Sequence, residues 1–180
     1  MARNTYVALM RGINVGGGRR ITMNDLRNLI SDLGHSDVLS YVQSGNIVFK
    51  ADEPDPAVLS AAIEERIATE LGLDVAVLIR TSKELTSITK RNPFTEREEN
   101  PKALHVTFLE DAPTKSVVAN LPDRTGGTDE LKIVGREVFL WLPKGYADTK
   151  LQNAFFEKNL GSRATTRNWK TVLQLTQMSA

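Results

Sequence analysis

The sequence predicts an α+β protein built from two subdomains. Three observations carry this expectation. Short β-prone apolar runs alternate with segments of helical period along all 180 residues. The segments between them are short and rich in Gly, Pro, Ser and Asn, the residues that turns use. The order of elements is β-α-β-β-α-β over residues 1–80 and a related β-α-β-β-α-α over residues 81–180.

Residues 5–11, TYVALMR, are short, apolar and β-prone, as a buried strand requires. A glycine-rich connection follows. Thr22 and Asp25 then have the form of a capping box, with Met23, Leu26, Leu29, Ile30 and Leu33 at helical spacing and Gly34 as the stop. Residues 38–43 and 46–50 read as two strands around a tight Ser44-Gly45 turn. Pro54 and Pro56 suit the opening of a second helix. Val58, Leu59, Ala62, Ile63, Ile67 and Leu71 form its stripe, and Gly72 ends it. A strand over 74–80 completes a ferredoxin-like unit.

The second subdomain opens with a linking helix from residue 81, ended by Asn92-Pro93. A strand over 103–110 and a short helix over 114–121 follow. Two strands flank Gly135-Arg136, a two-residue hairpin signal. A helix over 151–160 turns Leu151, Ala154 and Phe155 to one side and stops at Gly161. Thr165 or Thr166 is expected to cap a last helix carrying Trp169, Val172, Leu173 and Leu175. The halves share an order of elements without visible sequence repetition.

Composition narrows the function. The chain is 41% hydrophobic and 25% charged, as soluble globular proteins are. A net charge of +1 gives no bulk basicity, so any anion-binding surface comes from local clustering. The absence of cysteine excludes disulfides, thiol nucleophiles and cysteine-based zinc sites. No apolar run approaches the ~20 residues that span a bilayer. The amino terminus has no signal-peptide core, so a cytoplasmic location is expected. His35, behind a helix-stopping Gly, is placed where a positive charge suits the helix dipole; His105 lies in a strand. Neither belongs to a metal-ligand spacing, and neither a metal nor a cofactor is predicted. Glu64-Glu65 and Glu96 to Glu99 read as solvated charge.

The stretch RGINVGGGRRITM, residues 11–23, is the most unusual. A Walker A loop would need Lys and Ser or Thr after its second Gly, where this chain has Arg19-Arg20-Ile21. A dinucleotide fingerprint would run straight into the helix, whereas four residues intervene, and Thr22 and Asp25 already occupy the helix start. The plain reading is a connection. The functional alternative is an anion nest of glycine N–H groups, Gly16 and Gly17 among them, beside Asn14, Arg11, Arg19 and Arg20. Gln43, Ser44 and Asn46 are explained by turn chemistry, and are otherwise a polar cluster able to read a ligand. In 160–172, LGSRATTRNWKTV, Arg163, Thr166, Arg167 and Asn168 are expected at a helix start without acidic residues, a second candidate anion site. The plain alternative there is a capped helix with Trp169 in the core.

Four segments carry a family resemblance: YVALMRGINVGG, YVQSGNIVF, RNPF and LPKGYADTKLQNAFFEKNLGSRATTRNWKTV, spread from Tyr6 to Val172. Together they resemble the bacterial family of uncharacterised proteins catalogued as domain of unknown function 1697. The resemblance implies a small stand-alone cytoplasmic protein of two α+β subdomains, the first ferredoxin-like. It supplies no activity, cofactor or catalytic residue.

Three functions are compatible with these residues. One is a binding module for a phosphate-bearing ligand, a nucleotide or single-stranded nucleic acid, which requires the first loop, the Ser44-Gly45 turn and the last helix start to meet. A second is an enzyme acting on a small polar or phosphorylated metabolite. A third is a protein-interaction module forming a homodimer. A membrane partner is not expected, and fold alone does not choose among the three.

Overall fold

The computed structural model describes residues 3–14, 20–96 and 100–180. By its contacts the chain divides into two units, Met1–Ser87 with Gln174–Ala180, and Ile88–Leu173.

In the first unit, β1 (Asn4–Met10) is central, as its continuous apolar run requires. It pairs antiparallel with β3 (Asn46–Ala51) on one side and β4 (Val77–Thr81) on the other. β2 (Ser36–Tyr41) is the edge beside β3, and its polar alternation suits that place. The order β2-β3-β1-β4, with α1 (Met23–Asp32) and α2 (Pro56–Leu71) as crossovers, is the ferredoxin-like arrangement. Tyr6, Ala8, Met10, Ile47, Phe49, Val77 and Ile79 alternate with residues of the opposite face and pack with Leu26, Ile30, Leu59, Ile63 and Ile67 in one core.

The caps follow the sequence. Thr22 Oγ1 accepts from the Asp25 amide at 3.0 Å and donates to the Asp25 carboxylate at 2.7 Å. Asp55 caps α2, and Gly72 ends it in the left-handed conformation. Glu64 is not merely solvated: its carboxylate accepts from the Val77 amide at 2.8 Å, at the start of edge strand β4. His35 also departs from expectation. Its ring packs on Phe49 at 5.0 Å, and burial together with Arg3 lowers its pKa, so a positive charge there is disfavoured.

A helix, α3 (Ser82–Lys90), follows β4, and the second unit then repeats this topology. β5 (Leu104–Leu109) lies between β7 (Glu137–Trp141) and β8 (Ala164–Asn168), with β6 (Glu130–Val134) at the edge, in the order β6-β7-β5-β8. α4 (Lys115–Ala119) and α5 (Asn153–Leu160) are its crossovers. The expected β-α-β-β-α-α order is therefore corrected: a strand, β8, precedes the last helix. β5 has a free edge, and the β-branched Thr165 and Thr166 take it in register, Phe108 opposite Thr165 and Thr107 opposite Thr166.

Accordingly neither Thr165 nor Thr166 caps α6 (Trp169–Met178). Asn168 does, its Oδ1 accepting from the Thr171 amide at 2.8 Å. Trp169, Val172 and Leu175 are buried, while Leu173 is exposed. α5 buries Phe156 and Leu160 ahead of Phe155. The Gly135-Arg136 hairpin has its two residues, but the first hairpin loop has four, Val42 to Gly45, not a tight pair.

The two units match in register as well as order. Met10 N donates to Gly45 O as Leu109 N does to Arg136 O. Val7 faces Arg80 as Val106 faces Arg167, and Leu9 faces Asn46 as Phe108 faces Glu137. Polar side chains thus stand buried at matching places, Arg80 with Arg167 and Asn46 with Glu137.

Candidate functional site

The first unit holds a cleft of about 750 Å³ at the amino-terminal end of α1. Its walls come from the loop after β1 (Asn14, Arg20, Ile21), the start of α1 (Thr22, Met23, Asn24, Arg27), and the β2–β3 region (Ser40, Val42, Gln43). Asn14 builds it. Held at φ 57°, where Asn is tolerated, it donates from Nδ2 to the Ile21 and Gln43 carbonyls and accepts from the Ile21 amide, each at 2.9 Å. One side chain thereby ties both ends of the glycine-rich loop to the hairpin turn.

Among the described lining residues, charge in the cleft is of one sign. Arg20 is exposed and Arg27 half-buried, and no carboxylate is among the described lining residues. Arg27 is oriented by hydrogen bonds to Ser40 Oγ and to Asn24 Oδ1. Such a pair of guanidinium groups suits a phosphate or carboxylate. Val42, on the rim, has φ 52°, a strained value for a β-branched residue.

Asn14, Arg20 and Gln43, three residues singled out by sequence, line this cleft together. Gly16, Gly17 and Arg19 lie outside the described residues. Arg11 is half-buried, its backbone amide bound to the Ala76 carbonyl. Asn46 is fully buried and donates to Tyr41 O at 3.0 Å and Ser44 Oγ at 3.3 Å, which closes the hairpin turn.

Of the carboxy-terminal group, Asn168 alone stands at the start of α6, as its cap, while Arg163, Thr166 and Arg167 sit in or beside β8. Arg163 grips Glu110 in a two-point ion pair at 2.8 and 2.6 Å. Thr166 Oγ1 bonds Thr107 Oγ1 and Asn153 Oδ1, each at 2.7 Å. Arg167 is buried and donates to Thr165 Oγ1 at 2.7 Å and Thr166 O at 2.9 Å; burial pushes its pKa down to about 10, so it stays cationic at neutral pH.

The Arg163–Glu110 pair makes a pH prediction. The Arg163 hydrogen bond holds the Glu110 carboxyl below its usual pKa. Its contribution is then complete above the unfolded glutamate value and is lost as pH falls through the lowered folded one. Both side chains are about 40% exposed, so screening limits the pair to about 1 kcal/mol. Urea unfolding of Arg163→Met against the parent should show that difference at pH 7 and a progressively smaller one as pH falls through the lowered folded value. A difference that does not change with pH would refute the assignment.

Sequence reasoning missed Arg27, Asn24 and Ser40. A signal existed: Arg27 stands four residues after Met23, so its side chain reaches back along the helix toward the amino terminus. His105 lies in a strand, β5, as its sequence predicts. Its ring stacks on Tyr146 at 5.4 Å and lines a cavity of about 430 Å³ with Pro101, Lys102, Asn168 and Lys170.

Fold and site define a protein of two antiparallel α+β units, with a basic cleft in the first. No helix among the described residues is long and apolar enough to cross a membrane. The chain belongs to the family described as protein of unknown function DUF1697, which it matches over residues 3–139. The match takes in the whole cleft and ends within β7. No curated protein matches the chain. Among solved structures, a conserved bacterial protein from Streptococcus pneumoniae is similar over 99% of this chain and 100% of its own, with TM-score 0.74 and 24% identity. At that identity the likeness establishes the fold.

Proposed function

We propose that this protein binds a phosphate-bearing small molecule, of nucleotide size, in the first unit's cleft. The observation that carries the reading is a cleft of about 750 Å³ with two guanidinium groups and no carboxylate among its described lining residues. Its volume falls within the range of small-molecule sites, roughly 300–1,000 Å³, which favours a mononucleotide over an extended strand.

The second unit supports this by contrast. There the same topology connects β5 to α4 with residues 110–114, whereas β1 and α1 are joined by residues 11–22. The fold therefore does not require the longer loop, and long loops on a rigid scaffold are where binding residues gather. The strained Val42 on the rim fits the same reading.

Calorimetric titration with a panel of nucleoside mono-, di- and triphosphates tests the reading. Binding should weaken as salt rises. Arg20→Ala and Arg27→Ala should each weaken it about tenfold, the loss of one charge-assisted hydrogen bond. Arg124→Ala, remote in sequence and outside the cleft, should not change it. Heatless titrations across the panel, or equal affinity in an Arg20→Ala/Arg27→Ala double variant, would overturn the proposal.

A further inference from the structure

We infer that the second unit pairs with a second copy of this chain through edge strand β6, antiparallel and in a register centred on Leu131. The inference does not depend on what the first unit's cleft binds.

An edge strand is an open row of backbone donors and acceptors, and proteins blunt such edges where copies must stay apart. The two units give an internal comparison, because β2 and β6 hold matching places in the orders β2-β3-β1-β4 and β6-β7-β5-β8. β2 is blunted. Its register with β3 shifts between Ser36 and Leu39, and Asp37 stands at φ 52°. β6 is straight: Glu130 to Val134 pair with β7 in unbroken register. It contains no proline, and none of its residues is buried.

The hairpin decides which groups face outward. Its turn has two residues, Gly135 at φ 62° and Arg136, so the closing bond runs from the Glu137 amide to the Val134 carbonyl. Hydrogen-bonded and open pairs then alternate along the ladder, which points the amides and carbonyls of Leu131 and Ile133 away from β7. Among the described residues, no side chain or loop backbone takes these groups.

Charge selects the partner and the register. A pairing centred on Lys132 would set lysine against lysine. One centred on Ile133 would run into the Gly135-Arg136 turn. Centred on Leu131, the strand sets Lys132 opposite Glu130 of the partner subunit, and two-fold symmetry supplies the reciprocal pair. Both side chains are exposed and, two residues apart, share one face. The other face is apolar. Leu131 and Ile133 are half-buried there with Val117 and Leu121, and the neighbouring α4 buries none of its residues. Two open recesses of about 400 and 440 Å³ run alongside, both lined by Val118 and Ile133. The two copies of Leu131 meet on the axis and cover this strip, and two four-stranded sheets become one of eight.

Sedimentation velocity of the full-length protein over a concentration series should show a species of twice the chain mass. Glu130→Lys and Lys132→Glu each create two like-charged pairs across the axis, and each should weaken self-association about tenfold. Combined in one chain, the two substitutions oppose unlike charges again and should restore the dimer. An equimolar mixture of the single variants should likewise associate more tightly than either alone. Leu131→Cys gives an independent readout, because the chain has no cysteine. Facing residues of a hydrogen-bonded pair lie about 5.5 Å apart, within disulfide reach, so this variant should form a covalent dimer on oxidation. Lys132→Cys lies more than about 7 Å from its own copy and should not. Covalent dimers from Lys132→Cys in place of Leu131→Cys would overturn the register. A chain that stays monomeric throughout overturns the inference and leaves the edge to an extended segment of another protein. A dimer indifferent to both charge reversals overturns it too, because its contact then lies elsewhere.

Discussion

Gly45→Ala is expected to destabilise the protein by about 2–5 kcal/mol, a large fraction of a domain's stability. Two independent effects add. Gly45 has φ +74°, where a side chain costs about 1–2 kcal/mol. A Cβ at this position would also stand 2.6 Å from both Met10 Cβ and Ile13 Cδ1. Met10 is anchored in the central strand and Ile13 is buried, so neither retreats freely, and overpacking of this kind costs about 1–3 kcal/mol.

Gly135→Ala separates the two effects. Gly135 has φ +62° in the matching hairpin, but its nearest neighbour to a new Cβ is the Glu137 carboxylate at 3.9 Å. Only the backbone cost applies, about 1–2 kcal/mol. Urea unfolding of both variants should differ by about 2 kcal/mol. Equal losses would show that the loop after β1 does not press on the β2–β3 turn as described. The comparison matters for the cleft because that contact, with the Asn14 bridges, seats the loop on the turn.

The first unit was legible in the sequence because its signals are local. The Thr22–Asp25 cap, the αL stop at Gly72 and the apolar run of β1 each act within a few residues. β8 was not legible for the opposite reason. ATTRN has no apolar alternation, and its inward partners, Thr107 and Asn153, are distant in sequence. Threonine at a helix start and threonine in a strand look alike until the neighbouring strand is known. The cleft was half legible: Asn14, Arg20 and Gln43 were marked by an unusual loop and a turn, whereas Arg27 hides inside an ordinary amphipathic helix. The cavity at His105 depends on the register between β5 and β8, which no local pattern reports.

Thr166 shows what that correction implies. At a helix start its hydroxyl would be free to meet a ligand. In β8 it is committed. Asn153 Oδ1 only accepts, so the Thr166 proton goes to it, and Thr107, fully buried, must donate to Thr166. Thr166→Val keeps the shape and removes both bonds, leaving a buried donor on Thr107 and an acceptor on Asn153 unsatisfied. The expected loss is about 2–3 kcal/mol. Thr107→Val should cost only about 1 kcal/mol, because Thr166 keeps its bond to Asn153. The double variant removes the orphaned Thr107 hydroxyl as well, so its loss should fall short of the sum by about 1 kcal/mol. A recognition role predicts the reverse pattern: unchanged unfolding midpoints and lost affinity for nucleotides. Denaturant unfolding of the three variants, with calorimetric titration beside it, decides between the two. An unfolding midpoint unchanged in Thr166→Val would remove the hydroxyl from the structural network and return it to the candidate ligand residues.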